Sequence, residues 1–275
     1  MTKSHTGVFA FGILSYAVFF AVFLYAIGFI GGFYTPTTLD GTPTSPIGKA
    51  LAIDIGLLGL FAVQHSVMAR PAFKRWWTKF VPEAAERSVY VLASSLALVA
   101  LFSLWQPIGG VIWDAPDGWA RTTVITIYLL GWALLLYSTF LIDHFDLFGL
   151  RQSWNSFKGN KYTPPQFYTP SLYRIVRHPL YVGWLTIFWA APTMTVAHLV
   201  FAIATTAYIL IAIQLEEHAA LGRQVRGQGL FDLRRPARRR CLSRQRALDR
   251  DRGRGRARQE ALPPDFLQGS RHLGA

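Results

Sequence analysis

Residues 8–33 read VFAFGILSYAVFFAVFLYAIGFIGGF, with no charged side chain among them. About 20 apolar residues cross the hydrocarbon core of a bilayer as a helix. This run is longer than that, and it lacks the short apolar stretch and small-residue cleavage site of a secretory signal. It reads as a retained transmembrane helix, and it makes lipid the solvent for much of the chain. The composition agrees: 52% of the residues are hydrophobic and 16% are charged, where a soluble chain carries about 25% charged.

Working outward, Ala50 to Ala69, Val89 to Trp105 and Thr122 to Ile142 are further spans. Leu180 to Ala191 and Thr195 to Leu215 form a final pair broken at Pro192, its first arm short. The predicted fold is an all-α integral membrane protein with about five to six transmembrane helices and a C-terminal helical hairpin. Residues 1–218 form the membrane domain, and 219–275 an Arg-rich tail.

Charge placement sets the orientation. Arg70, Lys74, Arg75, Lys79 and Arg87 lie in one connection, and Arg151, Lys158, Lys161, Arg174 and Arg177 in another. Residues 106–120 between them have neither Lys nor Arg and carry Asp114 and Asp117. This alternation predicts cytoplasmic N- and C-termini. The net charge of +13 is mostly a tail property: residues 223–271 hold fifteen Arg, no Lys and five acids. The one cysteine, Cys241, lies in the same stretch, so no disulfide framework or Cys-based metal site is expected.

Polar groups inside spans are costly and call for partners. Gln64 and His65 sit at the cytoplasmic end of the second span. Two readings stand for them, interfacial groups met by water or the floor of a cytoplasmic pocket. Asp54, deeper, reads as a structural hydrogen bond to a neighbouring helix. Trp76, Trp77, Trp105 and Trp113 read as an interfacial aromatic belt.

Three segments carry candidate chemistry. In residues 174–183, RIVRHPLYVG, Pro179 suits the first turn of a helix, which places His178 near the N-cap. The free N–H groups there can hold a carboxylate or phosphate, and Arg177 adds a donor fork. Gly183 permits close approach of a helix or ligand, and Tyr181 offers a ring and a hydroxyl. A plain basic membrane boundary explains the same residues. Glu216 and Glu217 end the last span, where acids oppose the helix dipole and so suggest a cationic partner. Asp143 to Gln152 (DHFDLFGLRQ) mixes Asp143, His144 and Arg151 with aromatics. It lacks the paired ligands of a metal site and reads as an interfacial segment over the pocket.

The Arg-His-Pro-Leu-Tyr-x-Gly element with Glu-Glu about thirty residues later resembles the isoprenylcysteine carboxyl methyltransferase superfamily. Residues 64–71, 82–87, 143–152 and 192–198 are similar to its methanethiol S-methyltransferase family, close to NnrU-type proteins. The resemblance implies an S-adenosylmethionine-dependent membrane methyltransferase that converts methanethiol, a small thiol, to dimethyl sulfide. It implies that Arg177, His178, Pro179, Tyr181, Gly183, Glu216 and Glu217 bind S-adenosyl-L-methionine. Gln64, Asp143 and Arg151 would then border the substrate. A sulfonium methyl is already activated and a thiolate is a strong nucleophile. The remaining need is a base near neutral pH, which a His can supply; His65 and His144 are the candidates. The alternatives are a lipophilic acceptor such as a prenylcysteine or phospholipid, and a non-catalytic NnrU-like protein.

After residue 218 the chain departs from that family's pattern. The tail has no apolar periodicity and reads as disordered or as the product of a reading-frame change. No nucleic-acid partner is expected; a bilayer and a small thiol are.

Overall fold

The computed structural model describes residues 3–164 and 178–215. Arg177, Glu216, Glu217 and the tail beyond residue 218 lie outside the described residues. The chain forms two compact units, Met1–Ile211 and Ala212–Ala275. Of the second unit only residues 212–215 are described, and they are helical.

The apolar runs become long helices. These are α1 (Lys3–Gly31), α2 (Ile47–Ala69), α4 (Glu83–Leu104) and α5 (Trp119–Ile142). A fifth span covers Val196–Leu215, here α9. Short helices α3 (Pro71–Trp77), α6 (His144–Leu147) and α7 (Leu150–Lys158) lie in the Lys/Arg-bearing connections. The eleven-residue α8 (Pro179–Trp189) begins at Pro179 with His178 as its N-cap, as the sequence predicts. Among the described residues, five helices are long and apolar enough to cross a membrane, and α8 is a shorter apolar helix. The protein is an integral membrane protein. Leu14, Leu60, Leu130, Phe140 and Ile203 are exposed, as lipid-facing side chains are.

Within the first unit α4 is central: it packs against α1 and α2, while α5 packs against α8. The α5–α8 contact is close because both faces are glycine. A Cβ on Gly183 would lie 3.1 Å from the Leu135 backbone nitrogen and 3.2 Å from the Gly131 carbonyl oxygen.

One feature was not expected. Between α4 and α5, Val111–Asp114 forms β1, which pairs antiparallel with β2 (Thr193–Thr195). The pairing fastens the turn at Pro192 to the α4–α5 connection, with Ala115 N donating to the Pro192 carbonyl at 2.8 Å. Nearby, Asp40 accepts from the Thr195 hydroxyl at 2.6 Å and lies 2.9 Å from His198 Nδ1. The other His198 nitrogen faces the Phe188 carbonyl. Both nitrogens of the buried His198 ring thus have a partner, which ties the start of α9 to Asp40 and to the end of α8. Asp114 is held below the usual carboxylate range by the Thr193 hydroxyl and Arg121.

Asp54 is fully buried, and its Oδ1 accepts from Gln106 N at 2.9 Å. The expected structural bond thus forms, to the chain just past α4. Trp105 departs from the belt reading: it is 5% exposed and packs edge-on against Phe29 and Phe201. Its place one residue beyond α4 turns it into the bundle rather than toward the headgroups.

Candidate functional site

At the end of the bundle that carries the basic connections lies a cavity of about 300 Å³. Its walls come from α1, α2, α4, α5, α6 and α8. Phe19, Phe23, Phe61, Phe148 and Trp184 supply aromatic faces, and Leu98, Leu135, Leu136 and Leu180 aliphatic ones. His65, Arg87, Tyr90, Ser94, Ser95, Thr139 and His144 are the polar groups on this largely apolar wall. The two histidines proposed from the sequence, 79 residues apart in the chain, therefore share one cavity.

His144 reaches it through a sharp reversal. Asp143 ends α5 with φ of 102°, in the left-handed region that side chains rarely occupy. Its carboxylate caps α6 by accepting from Asp146 N and pairs with Arg151. That corner aims His144 back at the bundle. Asp143 and Arg151 are not on the cavity wall themselves; they hold the turn that places His144.

The contacts around His144 fit one neutral tautomer. With the single Thr139 hydroxyl proton on the Leu136 carbonyl at 2.7 Å, its oxygen accepts from His144 Nδ1, 2.8 Å away. In that tautomer Nδ1 carries the proton, and Nε2 accepts from the Tyr16 hydroxyl at 2.8 Å. The ring stacks on Phe140 and is 4% exposed. Burial lowers its pKa from the usual histidine value, and the nearby Asp143 charge opposes this in part.

His65 is held differently. Ser94 Oγ lies 3.2 Å from Nδ1, and the Tyr90 hydroxyl lies 3.1 and 2.9 Å from the two ring nitrogens. An oxygen nearly equidistant from both nitrogens lies along neither in-plane direction, so neither nitrogen is firmly engaged by Tyr90. Gln64 faces Ser94 and Met68 and is not among the cavity-lining residues.

On α8, Leu180 and Trp184 reach the wall. Pro179 and Gly183 are buried against the bundle, while His178 and Tyr181 are half-buried with ring centroids 5.4 Å apart. The helix start expected to hold a cofactor thus adjoins the cavity through the next turn.

Sequence reasoning missed the contribution of α4. Arg87, Tyr90, Val91, Ser94, Ser95 and Leu98 all line the cavity. They recur at three- and four-residue steps and so form one helical stripe. That spacing, with serines inside an apolar span, was the available signal. Tyr16 and Thr139 were missed as well, for neither stands out in its apolar run.

Residues 55–241 match the family model described as NnrU protein. The chain belongs to the NnrU family. Among similar proteins, a methanethiol S-methyltransferase of Crocosphaera subtropica is 53% identical over 78% of this chain and 84% of its own length. One from Mycobacterium tuberculosis is 51% identical over 78% of this chain and 90% of its own. Nurim of Bos taurus is 30% identical over 61% of this chain and 67% of its own. No solved structure matches this NnrU chain.

Proposed function

We propose that this chain is a membrane methyltransferase that methylates methanethiol to dimethyl sulfide, with S-adenosylmethionine as donor. The carrying observation is that relatives named methanethiol S-methyltransferase are more than 50% identical over three quarters of the chain. The cavity fits that chemistry in kind. Aromatic faces attract a sulfonium through their π-systems, and an apolar wall suits a small apolar thiol. Bound S-adenosylmethionine supplies a methyl group already activated on a positive sulfur.

The residues have three tasks. The apolar walls exclude water, which strengthens attraction between a thiolate and a cation. Packing confines the thiol beside the donor and so removes much of the entropic barrier. His144 Nε2, an acceptor in its neutral tautomer, takes the thiol proton, with the Tyr16 hydroxyl yielding its hydrogen bond. The thiolate left on the substrate would then be the nucleophile for the activated methyl group that a bound donor would supply. His65 orients the thiol from the same wall. The start of α8 with Arg177, and Glu216 with Glu217, contribute to donor binding. The cavity faces the cytoplasm of a bacterial inner membrane, and both termini lie on that side.

Membranes carrying the chain, given S-adenosylmethionine and methanethiol, are expected to release dimethyl sulfide into the headspace. Absence of product would overturn this reading and leave methylation of another lipophilic acceptor or a non-catalytic role in its place.

A further inference from the structure

We infer that Arg87 anchors the carboxylate at the amino-acid end of the methyl donor, an assignment that rests on the donor reading above. Arg87 lies in the first turn and a half of α4 and lines the cavity. Its Nε donates to the Leu147 carbonyl at 2.9 Å, which fixes the plane of the guanidinium. Its carbon sits 5.4 Å from the Tyr90 ring centroid, so Tyr90 lies against the group. The two terminal nitrogens have no hydrogen-bond partner among the described residues, and no described acid pairs with them.

The acids nearby are matched elsewhere. Glu86 pairs with Lys74 at 3.4 Å. Asp143 pairs with Arg151. Asp146 accepts from Tyr162 at 2.7 Å and from Gln152 at 3.3 Å. A cation on an apolar wall without a counter-charge is costly. Its open edge presents parallel N–H donors, the geometry that matches a carboxylate through two hydrogen bonds.

The donor is the group of opposite pattern. It carries a carboxylate and a sulfonium on one short chain, so the aromatic faces take the positive sulfur and Arg87 takes the negative end. A thiol arrives neutral and offers one sulfur atom, so it does not need a planar fork. This anchor adds to the α8 start, which the sequence alone put forward for the same carboxylate.

The full chain in lipid nanodiscs tests this by calorimetry, without turnover. The two titrants are S-adenosylhomocysteine and its decarboxylated counterpart. Wild type is expected to bind the carboxylate form roughly tenfold or more tightly, as for a charge-assisted hydrogen-bonded pair. Arg87→Gln weakens that form alone and so reduces the preference severalfold, leaving what the α8 start contributes. Retained binding of the decarboxylated form reports that the variant is folded. Arg87→Lys keeps the charge without the fork and gives a smaller loss of the same kind. Equal losses for both titrants, or no loss for either, overturn the assignment. Wild-type binding without preference sinks the anchor alone, and wild-type binding of neither titrant sinks the donor reading with it.

Discussion

His144 shows how much a single residue's surroundings decide. Imidazole is the same in every protein, but here one nitrogen is committed as a donor by Thr139 and the other is left as an acceptor. A base must be neutral to act, and burial lowers the His144 pKa, so the neutral form persists to lower pH than for a free histidine. The sign follows directly. Activity is full above the lowered pKa and falls as pH drops through it. The acidic limb of kcat/KM is therefore expected below pH ~6.5, the ordinary histidine midpoint. Stability moves the same way, because the unfolded chain takes up the proton first as pH falls. His144→Asn is expected to lower kcat/KM by roughly 10²- to 10⁴-fold and to remove that limb. A pH–rate profile of His144→Asn identical to wild type would assign the base elsewhere, with His65→Asn the next variant to measure.

At the scale of elements, the spans were readable because lipid imposes a simple demand, a long apolar run with its backbone bonded internally. The helix start at Pro179 was readable for an equally local reason, the missing N–H of proline. The β1–β2 pairing was not. Four residues and three residues, 79 or more positions apart in the chain, carry no periodicity that outweighs their setting in loops. The corner at Asp143 was hidden too, since Asp tolerates a positive φ without requiring it. Arg87 was visible as a topogenic charge, but its aim depends on the rotation of α4, which packing against α1 and α2 fixes. The same dependence on packing makes the α5–α8 contact testable. Gly183→Ala would press a Cβ against backbone of α5, which cannot yield as a flexible side chain does. The cost is expected at about 1–3 kcal/mol, read as a lower midpoint for loss of the folded peak on heating in detergent. Because Leu180 and Trp184 ride on α8, dimethyl sulfide production should fall with it. An unchanged midpoint would mean that the two helices separate more easily than their glycines suggest.

For the molecule as a whole, charge and chemistry gather at one end. His5 reaches Ser156 on α7 at 2.9 Å, and Arg87 reaches Leu147 in α6, so the start of α1, the start of α4 and the segment after α5 share that end. The basic connections lie there, and so do His144 and Arg87. At the other end Arg121 is paired with Asp114 at 3.2 Å, and Asp40 meets His198. Lys and Arg are retained on the cytoplasmic side of inner-membrane proteins, so the cavity end should face the cytoplasm, where the methyl donor would be supplied. With Cys241→Ser as background, no other cysteine is present, and single cysteines report each end. Asp117→Cys, at a side chain 98% exposed, is expected to react with a membrane-impermeant maleimide on intact spheroplasts. Lys79→Cys and Lys161→Cys, both at exposed positions, should react only after the membrane is opened. The opposite pattern would put His144 and Arg87 on the outer face, and a cytoplasmic donor could not then reach them without first crossing the bilayer.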